Sequence, residues 1–577
     1  MVSLKKFFVG TFVSFLVKAT VPDVIENRVL YVDFGTNQLN NEITMLTLNP
    51  ECLYNLNTTT EYNLKLQSAH NFSHRTNGKN MSKKSSAVQS IIETINYKLS
   101  EHSGIYSRKL MSYLETPIVE YEFLENVDVL LIKSKSKVEN KIKLLQILES
   151  VPCNLDSPRF DRYRPREIDP KIDFDVFKKY NEYYNKWDPK YQRKEEYIEI
   201  IESHFNELSG IKMFKRPNDP QFYDQWHLFG PDQLEKYGTD VVSTWEAILN
   251  HLSQIYDQPA AAFFEYGLNL EPIEVALVDS GCSMHNDLIE RLAYIEHCTF
   301  GQKTYFDPVT QKIKGCFGHH FGDNLPDPTN DTANHGTPAA GIVAAKSNNN
   351  IGISGICPSC KVVCLNIVNS KNGKIATSSI IKAIDYIIER KIKVSNHSYG
   401  GFGSDMTEQR AFQKLHKTNN HLAFTASGNA GCNIGCNNYN YCPRKCLTKS
   451  HWTPAEFHID SLITVGSTDR EGNVSMFSNV GDQTVDLFAP GNNIVSLSNL
   501  SPNKLVVVSG TSFSSPIAAA IAALLWSSIP TATPAQVKKA LLLGAIRYDH
   551  LRCKFIIAKI ILRLFHHSRY YKRIEFV

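Results

Sequence analysis

The chain reads as an α/β protein built on a mainly parallel sheet. Short apolar runs recur at EVALVD (274–279), VVCLNIV (362–368), KVSNHS (393–398), LAFTAS (422–427), LITVGS (462–467) and LVVVSG (505–510). Helix-period stretches lie between them, at HGTPAAGIVAAK (335–346), SSIIKAIDYIIERK (378–391) and MTEQRAFQKLHK (406–417). Uniformly apolar strands suit a sheet covered on both faces, and strand–helix alternation gives parallel pairing through crossovers. In such sheets ligands bind beyond the carboxyl ends of the strands. Asp279, the turn Ser398–Gly401 and Asn429 fall there.

The 577 residues are enough for two or three domains. With 62 basic against 58 acidic residues the net charge is +4, which gives no argument for a nucleic-acid partner. Residues 1–19, MVSLKKFFVGTFVSFLVKA, carry Lys5 and Lys6, an apolar run from Phe7 to Val17, and small Val17 and Ala19. This is the pattern of a secretory signal peptide and is short for a membrane span; a hydrophobic N-terminal strand is the alternative. It predicts the secretory pathway, with an extracellular or secretory-organelle destination. Ten of the thirteen cysteines lie between Cys282 and Cys446. In an oxidising compartment disulfides are expected. Zinc is the other reading for CPSC (357–360) with Cys364, and for Cys432, Cys436, Cys442 and Cys446.

Residues 20–115 are rich in Asn, Ser, Thr and Lys, with glycosylation sequons at Asn57, Asn71 and Asn80. They read as loosely ordered with short strands. In 119–152, VEYEF and VDVLLIK read as strands and VENKIKLLQILESV as an amphipathic helix, a small αβ module. Residues 155–215 are charged and Tyr-rich and read as a linker. The last stretch, 547–577, is basic; FIIAKIILRLF is broken by Lys559 and Arg563 and reads as a basic amphipathic helix at a membrane surface.

SGTSFSSPIAAAIAALL (509–525) places hydroxyl residues at the start of an apolar helix. A helix cap is the plain explanation for such a serine. The chemical one is a nucleophile, since free N–H donors and a positive field at a helix start suit an attack that creates an oxyanion. Serine needs an imidazole base, and the imidazole a carboxylate that fixes its tautomer. His335 before a small-residue helix and Asp279 at a strand end supply these types. Asn429, in TASGNAG, offers an amide to the oxyanion.

Together ALVDSG, NHGTPAAGIVAA, SYGG, ASGNAG and SGTSFSSPIAAA resemble, in order, the motifs of subtilisin-like serine proteases over about 218–545. The resemblance implies a three-layer catalytic domain, 217–546, with a triad of Asp279, His335 and Ser512 and an oxyanion donor in Asn429. It implies that Ser398, Tyr399, Gly400 and Gly401 bind an extended protein or peptide substrate. It implies structural calcium on SNNNIGISG (347–355): the Asn349 side chain, the carbonyls of Ser347, Ile351 and Ile353, and the carboxylates of Asp287 and Asp219. Residues 20–216 then take the place of a propeptide, with a compact core at 119–152, that inhibits its own enzyme; its tail is expected along Ser398–Gly401. The texture is similar to that of apicomplexan parasite subtilases. Three features depart from the pattern: Pro338 after HGT, Phe513 after the nucleophile, and His397 at an apolar position. The Cys-rich insertion 431–450 adjoins the oxyanion residue and supports the rival reading, a catalytically inactive binding protein that uses this insertion.

Overall fold

The computed structural model describes residues 39–47, 119–134 apart from 125 and 128, 159–164, 171–173, 216–230, 237–256, 270, 272–293, 305–307, 312–314, 317–324, 331–403, 405–435, 451–547 and 555–556. Residues 1–19, the three sequons, the 138–151 helix pattern, Cys436, Cys442, Cys446 and most of the basic tail lie outside the described residues. The described elements belong to one compact unit, Gln38–Val577.

The central sheet has nine strands. In spatial order seven of them are Gly318–His320, Lys361–Asn366, Glu274–Asp279, Val394–His397, Leu422–Ala426, Leu462–Thr468 and Leu487–Pro490, each parallel to its neighbour. Phe555–Ile556 continues the sheet beside Leu487–Pro490, and Ile546–Arg547 closes it antiparallel. The start of the segment read as a membrane-surface helix is therefore a strand.

Every residue of the strands Leu422–Ala426 and Leu462–Thr468 is buried, as two covered faces require. One face carries the helix Thr511–Ser528, whose alanines Ala518, Ala519, Ala520, Ala522 and Ala523 are fully buried. Small side chains let that helix lie close to the sheet. It packs with the helix Gly336–Ala344 in one apolar core. The opposite face carries Ile380, Ile384 and Ile387 of the helix Thr377–Glu389 and Phe412 of the helix Met406–Lys417.

Two cystines brace this unit, Cys282–Cys364 and Cys357–Cys360. These four sulfurs are thus removed as zinc ligands. Cys432 is also disulfide-bonded.

Three segments depart from the sequence reading. Leu505–Val508 is not in the parallel sheet; it pairs antiparallel with Ile494–Leu497. Two pieces of the region read as linker are strands. Arg159–Arg164 lies in a five-stranded sheet of order Ile375–Ala376, Arg159–Arg164, Leu39–Thr47, Val129–Ser134, Val119–Leu124. Lys171–Asp173 joins the free edge of Leu505–Val508. Neither RFDRYR nor KID has an apolar period, because main-chain pairing asks nothing of the side chains. The hairpin of Val119–Leu124 and Val129–Ser134 matches VEYEF and VDVLLIK. Its Leu124, Val127, Val129 and Leu131 pack into the same apolar cluster as Ile380 and Ile384, and the Asn126 N–H donates to Asp385 Oδ1 at 3.0 Å.

Candidate active site

Asp279 ends the strand Glu274–Asp279, and His335 immediately precedes the helix Gly336–Ala344. Ser512 is the second residue of the helix Thr511–Ser528. The fold brings these three into one pocket. They are nearly buried, with exposures of 5%, 5% and 7%. His335 Nδ1 lies 2.6 Å from Asp279 Oδ1. A carboxylate acceptor at Nδ1 puts the imidazole proton there and leaves Nε2 as the basic nitrogen. The ring rests on Phe513, with centroids 5.1 Å apart. The large residue after Ser512 thus supports the imidazole.

A close contact sets the Asp279–His335 distance. A methyl group on Gly336 would lie 2.0 Å from the Gly281 carbonyl oxygen. Gly281 itself has φ +99°, open to glycine and strained for other residues. The Ser280 hydroxyl accepts from the Gly336 N–H at 3.0 Å and donates to Asp331 Oδ1 at 2.6 Å. Asp331 also takes the His335 and Thr337 N–H groups and the Thr337 hydroxyl. Sequence reasoning missed Asp331. Its signal is an acidic residue six positions before Thr337, at a helix start whose N–H groups need acceptors.

Asn429 is held by the same helix start. Its Oδ1 accepts from the Thr511 N–H and hydroxyl, both at 2.9 Å. The amide is thereby fixed with its NH2 group as the donor end. Thr511 also accepts from the Gly428 N–H at 3.1 Å, so it does more than shape the turn.

Ser398, Tyr399 and Gly400 line the pocket. Gly401 pairs with Thr453 on one edge and is not among the lining residues. The segment 159–164 pairs with Ile375–Ala376, of which Ile375 also lines the pocket. Ser398 is tied to the helix of Ser512 in an unusual way. Pro516 has no N–H to give to the Ser512 carbonyl four residues back. The Ser398 hydroxyl donates to that carbonyl at 2.7 Å. Asn396 Nδ2 donates to Ser398 Oγ, and Ser515 Oγ donates to Asn396 Oδ1.

His397 is a satisfied core histidine. Its Nε2 meets Ser395 Oγ at 2.8 Å and its Nδ1 the Tyr399 hydroxyl at 3.0 Å. Complete burial holds its pKa well below the usual range, so the ring is neutral.

The loop SNNNIGISG gathers two acidic residues. Asp219 accepts from the Asn348 and Asn349 N–H groups; Asp287 accepts from the Ile353 N–H and from Asn349 Nδ2. Burial pushes Asp219 up to about 6 and Asp287 up to about 7, the latter with a further push from Asp219. Ser347 and Ile351 lie on the same loop, and the Ser347 hydroxyl is buried without a partner. Among the described residues no cluster of three or more His, Cys, Asp or Glu side chains could hold a metal. A cation here would rely on carbonyl and amide oxygens as well.

The model of the subtilase family matches residues 271–555. Subtilisin DY of Bacillus licheniformis is 31% identical over 211 residues, 37% of this chain and 70% of that protein. The chain belongs to the subtilase family. A thermophilic serine proteinase of Bacillus sp. (strain AK1) is 33% identical over 210 residues, 36% of this subtilase and 46% of the relative. Subtilisin-like protease 2 of Plasmodium falciparum is 26% identical over 302 residues, 52% of this chain and 19% of that one. The chain thus spans less than half of two of these three relatives. Among solved structures, a protease from Pseudoalteromonas arctica PAMC 21717 is 22% identical, covering 58% of this chain and 94% of its own, with a TM-score of 0.43.

The Pro516–Ser398 arrangement makes a stability prediction. Ser398→Ala leaves the buried Ser512 carbonyl without its donor and should lower unfolding free energy by about 1–3 kcal/mol. Adding Pro516→Ala returns an N–H four residues ahead. The double variant should therefore lose at least about 0.5 kcal/mol less than the sum of the single losses. Urea midpoints of the Ser512→Ala background measure this; simple additivity would show that the two groups do not share that carbonyl.

Proposed function

We propose that this chain is a secreted serine endopeptidase made as a zymogen. The observation that carries the reading is the 2.6 Å bond between His335 and Asp279 in the pocket that also holds Ser512. His335 Nε2 takes the Ser512 hydroxyl proton as Oγ attacks the scissile carbonyl. Asp279 stabilises the imidazolium. The oxyanion is received by the Ser512 N–H and the Asn429 NH2 group. Collapse breaks the C–N bond, and the imidazolium gives its proton to the departing amine. A water, deprotonated by His335, then releases the acyl group. The complete set of groups argues against a binding protein that has lost catalysis.

Residues 20–216 act as the pro-region, and its part before the cut is the inhibitor. The support is the pairing of two strands of this region with two edges of the catalytic unit. Arg164 and Tyr163 lie opposite Ile375 and Ala376; Lys171, Ile172 and Asp173 lie opposite Val508, Val507 and Val506. Ile375 lines the pocket, and Val508 is four residues from Ser512. The bond cut in maturation therefore lies between Arg164 and Lys171, and Lys171–Asp173 stays with the mature chain. The docked hairpin then stays as a product-like inhibitor.

Calcium stabilises the 347–355 loop. Two buried carboxylates held above their usual pKa, and a buried hydroxyl without a partner, suit a hard cation that prefers oxygen. Asn349 now turns its NH2 to Asp287, so cation binding requires the amide to turn its oxygen inward.

Ser512→Ala should remain folded and uncleaved, while the wild type yields fragments that end between Arg164 and Lys171 by intact-mass measurement. Processing of purified Ser512→Ala would assign maturation to another protease. Asn429→Ala should lower kcat about 10²–10³-fold, a figure that rests on a member of this family.

For calcium, the sign follows from the raised pKa. Asp287 binds its proton more tightly folded than unfolded, so its ionisation weakens the fold from about pH 4 up to about 7. In chelator, Asp287→Asn should melt above the wild type at pH 7.5, and the gap should shrink toward pH 4.5. Calcium should raise the wild-type melting temperature and leave the variant's unchanged. A wild-type curve indifferent to calcium would remove the site.

A further inference from the structure

The pocket beside Ser512 is closed by an indole. Trp452 is 3% exposed and lines the pocket together with Ser398, Gly400, Ala426 and Gly428. A methyl group on Gly428 would lie 2.3 Å from Trp452 Cε2, and one on Gly400 would lie 2.7 Å from Trp452 Nε1. The nitrogen edge of the ring is therefore in contact with both glycine-bearing walls. The ring has no room to turn away. Phe402 meets it edge-on at 4.7 Å and 90°, and its own N–H donates to Glu456 Oε1 at 2.7 Å. Gly401 and Phe402 pair with Thr453 and Trp452. The indole Nε1 is buried against these walls and has no hydrogen-bond partner among the described residues.

On the proposed reaction, the residue whose carbonyl is attacked must place that carbon at Ser512 Oγ and its oxygen toward Asn429. Its side chain then enters between the Ser398–Gly400 and Ala426–Gly428 walls and ends on the indole. We propose that Trp452 is the specificity-determining residue of this subtilase. It selects a small side chain, Gly, Ala or Ser, on the acyl side of the scissile bond. The indole bulk excludes aromatic and long aliphatic side chains. The inference rests on the serine protease reading of the site.

The test is kcat/KM on one peptide series that differs only at that residue: Ala, Ser, Asn, Leu and Phe. The mature wild type should cleave after Ala and Ser and reject Phe by more than about a hundredfold. Trp452→Phe keeps an aromatic ring in place and should still reject Phe. Trp452→Gly opens the pocket and should gain cleavage after Phe. Melting curves and fluorophosphonate labelling of Ser512 establish that each variant is folded and active-site competent. Labelled wild type that cleaves after Phe or Leu first overturns the inference and leaves the protease reading intact. The same holds if Trp452→Gly still rejects Phe. Failure of the wild type to label or to cut any peptide overturns both.

Discussion

The approach of Gly336 to Gly281 is the contact on which the site depends. Two turns, one at a strand end and one at a helix start, touch backbone to backbone, with a Cβ at Gly336 falling 2.0 Å from a carbonyl oxygen. Nothing but hydrogen fits between them. Because they touch, a short aspartate and a histidine reach each other at 2.6 Å without any chain distortion. Ser280 and Asp331 then lock the contact by satisfying N–H groups that a buried helix start would otherwise leave without acceptors. The imidazole is held from three directions: the Asp279 carboxylate, its own main chain through Asp331, and the Phe513 ring. Catalytic geometry of this kind needs a rigid support, since small displacements of a base cost large factors in rate.

The helix of Ser512 extends this rigidity to the substrate walls. Its first seventeen residues are buried, and its small side chains bring its backbone near the sheet. A proline inside a helix normally leaves a carbonyl without a donor, at a cost of a few kcal/mol. Here the vacated carbonyl belongs to Ser512, and Ser398 fills it from the strand that lines the pocket. Thr511 performs the matching task on the other wall through Asn429 and Gly428. Ser512, Asn429 and both pocket walls are therefore tied together by hydrogen bonds. Burial adds to the order: complete desolvation keeps His397 neutral, so its ring can bridge Ser395 and the Tyr399 hydroxyl without a buried charge.

Residues whose chemistry is local were legible in the sequence. Asp279, His335, Asn429 and Ser512 each stand at an element boundary marked by glycine and small residues, and the apolar strands around them gave the parallel sheet. What escaped is what depends on partners distant in sequence. Asp331 and Ser280 are ordinary turn residues until Gly336 arrives beside Gly281. Trp452 reads as a lone aromatic in a Cys-rich neighbourhood, and only the two glycines facing it reveal a pocket floor. Leu505–Val508 has the composition of a parallel strand, yet it lies outside that sheet, and composition does not encode which sheet a strand joins. Arg159–Arg164 and Lys171–Asp173 are charged, and their pairing is made by main-chain groups, so periodicity is silent about them.

Those two charged strands also cover two separate sheet edges. An unpaired edge is a hazard, since it pairs with any extended chain that meets it. A protease needs such edges, because substrates bind by the same main-chain ladder. Ile375–Ala376 and Leu505–Val508 are taken by segments of the same chain separated by six residues. The edges are therefore covered, on the proposed reading until maturation. A link of six residues also gives its own segment an effective concentration that a separate substrate cannot match. On the proposed reading, a substrate would copy the antiparallel register of Tyr163 and Arg164 against Ile375–Ala376, and inhibition would differ from substrate recognition in whether the segment leaves after the bond is cut. The docked hairpin, with Leu124, Val127, Val129 and Leu131 packed in the cluster of the helix Thr377–Glu389, supplies the extra contact area that keeps it in place.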